Sequence, residues 1–196
     1  HLPKTEIFSF TVAGQPNIII SWLFDVLFYG VYVLGGYIAL SLWKAVAVIL
    51  IVALFIYRLE YLNTLKKIGV SRWFVYASAT IFLLATYNWI VLERPHVIGY
   101  IFFSFFLLVF SFFIENAKKW HWIVLGTVQM LWANTHTSFA SGIAFTGIFL
   151  GGLIIEYFFK FKPKLTSSQD VNLGLIKKVF ILGLLQVAVS IINPYG

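Results

Sequence analysis

Between residues 36 and 57 the chain runs for 22 residues with one charge, Lys44. At 1.5 Å per residue a helix of that length covers about 33 Å, and the hydrocarbon core of a bilayer is about 30 Å thick. Five more apolar segments follow, at 73–91, 97–114, 120–133, 138–159 and 173–192, with short polar breaks between them. In lipid every backbone N–H and C=O must be paired within the protein, so such runs can only be helices or the strands of a closed barrel. Barrel strands alternate apolar and polar residues, and these runs do not. The expected fold class is therefore all-α: a polytopic transmembrane bundle of six spans.

Composition agrees. Apolar residues make up 61% of the chain and charged residues 11%, against about 25% charged in soluble domains. A chain of 196 residues cannot bury that much apolar surface in a water-facing core, which excludes a soluble enzyme, a coiled coil and a disordered chain. The absence of cysteine excludes disulfide scaffolds, thiolate metal sites and a cysteine nucleophile. Residue 1 is His, and the sequence reads as a piece of a longer protein.

Residues 1–17, with Pro3, Gly14 and Pro16, read as a loop. In 18–34, Ser21, Asp25, Tyr29 and Tyr32 share one helix face. That favours a juxtamembrane helix, lying at the interface or packed against the bundle, over a span carrying Asp25. The whole of 1–196 then forms one membrane domain without an internal repeat.

The net charge of +7 is a topology signal rather than a nucleic-acid signal. Arg58, Lys66, Lys67 and Arg72 lie in one connection, and Lys118 and Lys119 in another. Lys160, Lys162, Lys164, Lys177 and Lys178 surround a third. These are 11 of the 14 basic residues, and six spans place all three connections on one side, the cytoplasmic one. No nucleic acid is needed as a partner; membrane lipid is. The opening loop, the Glu93-Arg94-Pro95-His96 turn, the break at 134–137 and the terminal Asn193-Pro194-Tyr195-Gly196 then share the non-cytoplasmic side.

Several residues there could carry chemistry. Glu6 is a candidate base or a plain solvated carboxylate. Arg94 could grip a phosphate through parallel hydrogen bonds, or pair with Glu93 as an anchor. Trp132, Asn134 and His136 stand where the fourth span ends early, which suggests a helix ending in a cavity. His136 could accept a proton, hold a phosphate or bind a metal, or serve only as a hydrogen-bonded polar helix cap; no second His at helical spacing supports zinc. Lys44 lies about 12 Å along its span, deep enough to face a bundle interior and neutralise an anionic head group, with Asp25 a candidate ion partner. Gly147 and Gly151 read as a helix-packing seam, and the Phe-rich third span as lipid-facing bulk.

The order of these segments resembles the GT-C superfamily of polyprenyl-phosphate-sugar-dependent membrane glycosyltransferases, in particular bacterial members. Their pattern is an acidic Asp-Pro-Phe-Ser-Tyr-Thr loop, then His-Glu-Trp-Leu, Arg-Pro, Trp-Ala-Asn-x-His-Gly and Asn-Pro-Tyr-Gly. This chain has Glu6-Ile7-Phe8-Ser9-Phe10-Thr11, Ile20-Ser21-Trp22-Leu23, Arg94-Pro95, Trp132-Ala133-Asn134-Thr135-His136-Thr137 and Asn193-Pro194-Tyr195-Gly196. The resemblance implies a first span before His1 and further chain after Gly196. It implies Glu6 as the catalytic acid/base and Arg94, His136 and Lys44 on the donor phosphate. Trp22, Trp132, Asn134, Asn193 and Tyr195 would shape the site. The implied substrates are a polyprenyl-phosphate-linked sugar and a glycan or lipid acceptor, in the bacterial inner membrane, with a divalent metal an open question. Three departures stand out: Glu6 replaces Asp, Ile20-Ser21 replaces His-Glu, and Thr137 replaces Gly. They leave a catalytically inactive membrane subunit as one alternative. A lipid or small-solute transporter or flippase is the other.

Overall fold

The computed structural model describes residue 14 and residues 21–66, 71–91, 96–159 and 171–193. The described residues form helices α1 (Trp22–Lys66), α2 (Arg72–Val91), α3 (His96–Glu115), α4 (Lys119–Ala133), α5 (Ala140–Phe159) and α6 (Leu173–Ser190), with a 3-10 turn at Thr137–Phe139 before α5. No strand occurs among them. Four segments are long and apolar enough to cross a membrane: Trp22–Thr64, His96–Glu115, Thr137–Phe159 and Leu173–Ser190. Their outward faces carry exposed Ile38, Ile49, Ile148, Phe158 and Ile181, an apolar surface that lipid covers and water would not. The chain is thus an all-α integral membrane protein. Of the six spans expected, two are not among these four: α4, whose 15 residues make about 22 Å of helix, and α2, which among the described residues qualifies only as a shorter apolar helix, Arg72–Ala85.

α1 is not one rod. Gly35 and Gly36 leave helical geometry, Gly36 at φ 59° and ψ −146°, a region essentially confined to glycine. The chain folds back at this point. The Phe28 and Trp43 rings lie 5.7 Å apart and the Phe24 and Trp43 rings 6.0 Å, whereas a straight helix would separate residues 28 and 43 by about 22 Å. Residues 22–34 therefore pack antiparallel along the start of the long second segment, with Phe24 and Leu40 buried between them. The juxtamembrane helix expected over 18–34 is one arm of this hairpin over its described residues.

The second segment of α1 packs on α2 and α3, α3 on α4, α4 on α6, and α6 on α5. The core lies between α3, α4, α5 and α6, where Phe106, Phe110 and Phe113 meet Leu125, Trp132, Leu153 and Val179. Phe145 and Phe149 close it edge-on, 5.3 and 5.1 Å from Phe110. This corrects two readings of the sequence. The phenylalanines of the third span are core rather than lipid-facing bulk. Among the described residues Gly147 and Gly151 form no seam, since a Cβ at either would meet nothing within 4 Å. The close approach is at Gly142 instead, where a Cβ would lie 2.8 Å from Gln129 Oε1 and 3.1 Å from Trp132.

Polar groups sort to the two ends of the bundle. At one end Arg72 pairs with Glu60 at 3.9 Å, and Glu115, Asn116, Asn172 and Lys178 line a small cavity. At the other end lie Trp22, His96, Asn134, His136 and Asn193. Arg58 ties α1 to α3 nearer the first end, its Nε donating to Leu107 O and Ser111 Oγ, each at 3.3 Å.

The hairpin rests on Gly36. Gly36→Ala places a Cβ in a backbone region that costs about 1–3 kcal/mol. Spin labels at positions 28 and 43, on a chain with no native cysteine, should report one short distance in the parent and a longer, broader distribution in Gly36→Ala.

Candidate functional site at the histidine end of the bundle

α4 ends because Asn134 ends it. Asn134 sits at the helix C-cap, is 6% exposed, and has every polar atom engaged. Its Nδ2 donates to Met130 O and to Ile192 O, both at 2.8 Å. Its Oδ1 accepts from Trp22 Nε1 at 3.0 Å, and its carbonyl accepts from Leu23 N at 3.2 Å. One buried amide thus joins the start of α1, the end of α4 and the end of α6. Asn193 adds a second tie, its Nδ2 donating to Ala133 O at 3.1 Å. Trp22, Asn134 and Asn193, far apart in sequence, meet at one place and line an open groove of about 580 Å³ with Met130, Leu131 and Ile192.

Beside this knot is a pocket of about 250 Å³ between α3 and the α4–α5 connection, lined by His96, Tyr100, Phe103, Trp132, His136 and Ser138. The His96 and His136 rings are 4.6 Å apart. His136 lies past the end of α4. Its backbone is extended and it caps the 3-10 turn, Nδ1 accepting from Ser138 N at 3.0 Å. Burial first, and then the charge on His96, hold the His136 imidazole below the ordinary histidine range. The neutral imidazole is therefore the favoured form.

Under the pocket the core is polar. Gln129 Nε2 donates to Phe139 O at 3.2 Å and to Ser190 Oγ at 3.0 Å, and Ser190 Oγ donates to Gln186 O at 2.7 Å. Gln129 and Gln186 are fully buried. Apolar helices gain no hydrophobic drive to associate in lipid, and interhelical hydrogen bonds of about 0.6–2 kcal/mol each hold them together.

The structure thus brings together Trp22, Asn134 and Asn193, and, next to them, Trp132 and His136. Lys44 is half-buried and lines neither space. It lies one turn before Ala47, which packs against Val97 beside His96, so it stands close to the level of the pocket without entering it. Asp25 accepts a hydrogen bond from Ser21 Oγ at 3.3 Å. Glu6, Arg94 and Tyr195 lie outside the described residues, and so does the Glu93-Arg94-Pro95 turn. Among the described residues no three His, Cys, Asp or Glu side chains are grouped to hold a metal ion. Sequence reasoning missed Tyr100, Ser138 and Gln186 as parts of this end. Only Ser138 carried a signal, as a hydroxyl two residues after a histidine at a helix start.

Comparison with protein-family models, with characterised proteins and with solved structures finds no match for this chain.

Asn134 gives a sharp test. Asn134→Asp keeps the acceptor for Trp22 and loses both Nδ2 donations, while Asn134→Leu loses all three side-chain bonds. Each buried group left unpaired costs about 1–3 kcal/mol, and more where it is charged, so thermal unfolding in detergent should place both variants below the parent, with Asp the lower at pH 7 because its carboxylate faces the Met130 and Ile192 carbonyls.

Proposed function

We propose that this chain is the membrane part of a GT-C-type glycosyltransferase in the bacterial inner membrane. It would move a sugar from a polyprenyl-phosphate donor to an acceptor hydroxyl at the non-cytoplasmic face. One observation carries this reading: residues of three separated motifs, Trp22, Trp132–His136 and Asn193, gather at the histidine end of the bundle, beside a pocket with a neutral imidazole.

The chemistry needs few groups. The acceptor oxygen attacks the anomeric carbon as its proton passes to the Glu6 carboxylate, and the bond from that carbon to the phosphate oxygen breaks. The lipid phosphate leaves with the bonding pair and needs no proton, so one carboxylate suffices where water-soluble glycosidases use two. Arg94 and His136 would donate hydrogen bonds to the departing phosphate, where charge develops. Lys44, near that level, would add a positive field. A metal ion is not required by this scheme.

The test is transfer of labelled sugar from polyprenyl-phosphate donors by the full-length protein in liposomes. Glu6→Gln should abolish transfer, and His136→Ala should lower it about 10²–10³-fold, the loss typical of one donor on a developing oxyanion. Full activity in Glu6→Gln would remove Glu6 as the base. A folded protein inactive with every donor offered would favour a transporter or an inactive subunit.

A further inference from the structure

His136 has two ring nitrogens, and their surroundings differ. Ser138 N–H is a donor only, and it points at His136 Nδ1 from 3.0 Å. Nδ1 must therefore present its lone pair, and in a neutral imidazole the proton then sits on Nε2. The Ser138 hydroxyl reinforces this. Trp132 Nε1–H, also a donor only, reaches Ser138 Oγ at 2.9 Å. That bond occupies a lone pair of Oγ and leaves its proton for His136 Nδ1, 2.7 Å away. The chain of donation runs Trp132 to Ser138 to His136 and has one direction.

Each part is held in place. Trp132 is 1% exposed. Gly99 of α3 makes room for the hydroxyl, since a Cβ there would stand 2.4 Å from Ser138 Oγ. Protonating His136 would turn Nδ1 into a donor facing the Ser138 N–H, so the arrangement opposes the imidazolium as well as the other tautomer. The titratable groups on the facing element are His96 and Tyr100 of α3.

We propose that Trp132 and Ser138 are positioning residues that lock His136 as the Nε2–H tautomer, making it a hydrogen-bond donor to an anionic oxygen in the adjoining pocket rather than a base or a metal ligand. Both base and metal ligand need a free lone pair, and the accessible nitrogen has none. On the glycosyltransferase reading the anionic oxygen is that of a phosphate, borne by a lipid or free. Its assignment to the departing lipid phosphate rests on the glycosyltransferase reading; the locked tautomer does not.

The test is nitrogen NMR of the full-length protein in micelles, labelled with ¹⁵N-histidine. The chain has four histidines, and His136→Gln identifies the signal that matters. At pH 7.5 the parent should show His136 Nδ1 as an unprotonated nitrogen and Nε2 as a protonated one. Inorganic phosphate, and a short-chain isoprenyl phosphate in parallel, should shift Nε2 and leave Nδ1 unchanged. A response to the isoprenyl phosphate alone would assign the lipid as source. Ser138→Ala and Trp132→Phe keep the backbone N–H that faces Nδ1, so each should leave Nε2–H the major tautomer and only raise the minor Nδ1–H fraction above that of the parent. A protonated Nδ1, or two exchanging tautomers in the parent, would overturn the lock. A fixed Nε2–H that ignores both phosphates while sugar transfer proceeds would overturn the donor role and leave the enzyme reading standing. A fixed, phosphate-responsive Nε2–H in a protein that transfers no sugar would do the reverse.

Discussion

The fold at the histidine end depends on one buried side chain. Asn134 spends two donors and one acceptor on three different segments, and no apolar residue could do the same. Hydrophobic burial cannot specify where helices stop relative to one another in lipid, because the solvent is as apolar as the side chains. Hydrogen bonds can. The Trp22–Asn134–Ile192 links fix the entry of α1 and the end of α6 against the end of α4. The histidine pocket then inherits its walls from that register.

The rest of the bundle shows the same division of labour. Phenylalanine edges fill the volume between α3, α4 and α5, and polar pairs set the alignment: Gln129 with Ser190 near the histidine end, Arg58 with Ser111 nearer the other. Gly142 and Gly99 are small because polar groups need their space, Gln129 Oε1 in one case and Ser138 Oγ in the other. Substitution at either would be felt first in a hydrogen bond and only second in packing.

Much of this was legible in the sequence. Run length and breaks located all six helices, because lipid leaves the backbone little choice. The early stop at Asn134 was visible as Asn and His interrupting an apolar run, and the break at 134–137 and the segment from Asn193 were expected at one end of the bundle, where Asn134 and Asn193 meet Trp22. What sequence could not show follows from the same physics. A helix apolar all round has no moment to tell core from lipid, so Phe106, Phe110 and Phe113 looked the same as Phe158. The glycines at 147 and 151 had the spacing of a seam but not the neighbours. Gly35-Gly36 read as a boundary between two segments, yet only the Phe28–Trp43 contact shows that the chain reverses there. The Ser138 relay depends on an extended backbone at His136, which no periodicity predicts.

The convergence of separated segments at a single end is most directly tested by cross-linking in native membranes. Leu23→Cys with Ile192→Cys places thiols on two residues that border one groove, whereas Leu23→Cys with Lys178→Cys places them at opposite ends of the bundle. A short bifunctional maleimide should join the first pair within one chain and not the second. Cross-linking of the second pair, or of neither while each thiol reacts singly, would contradict the shared site.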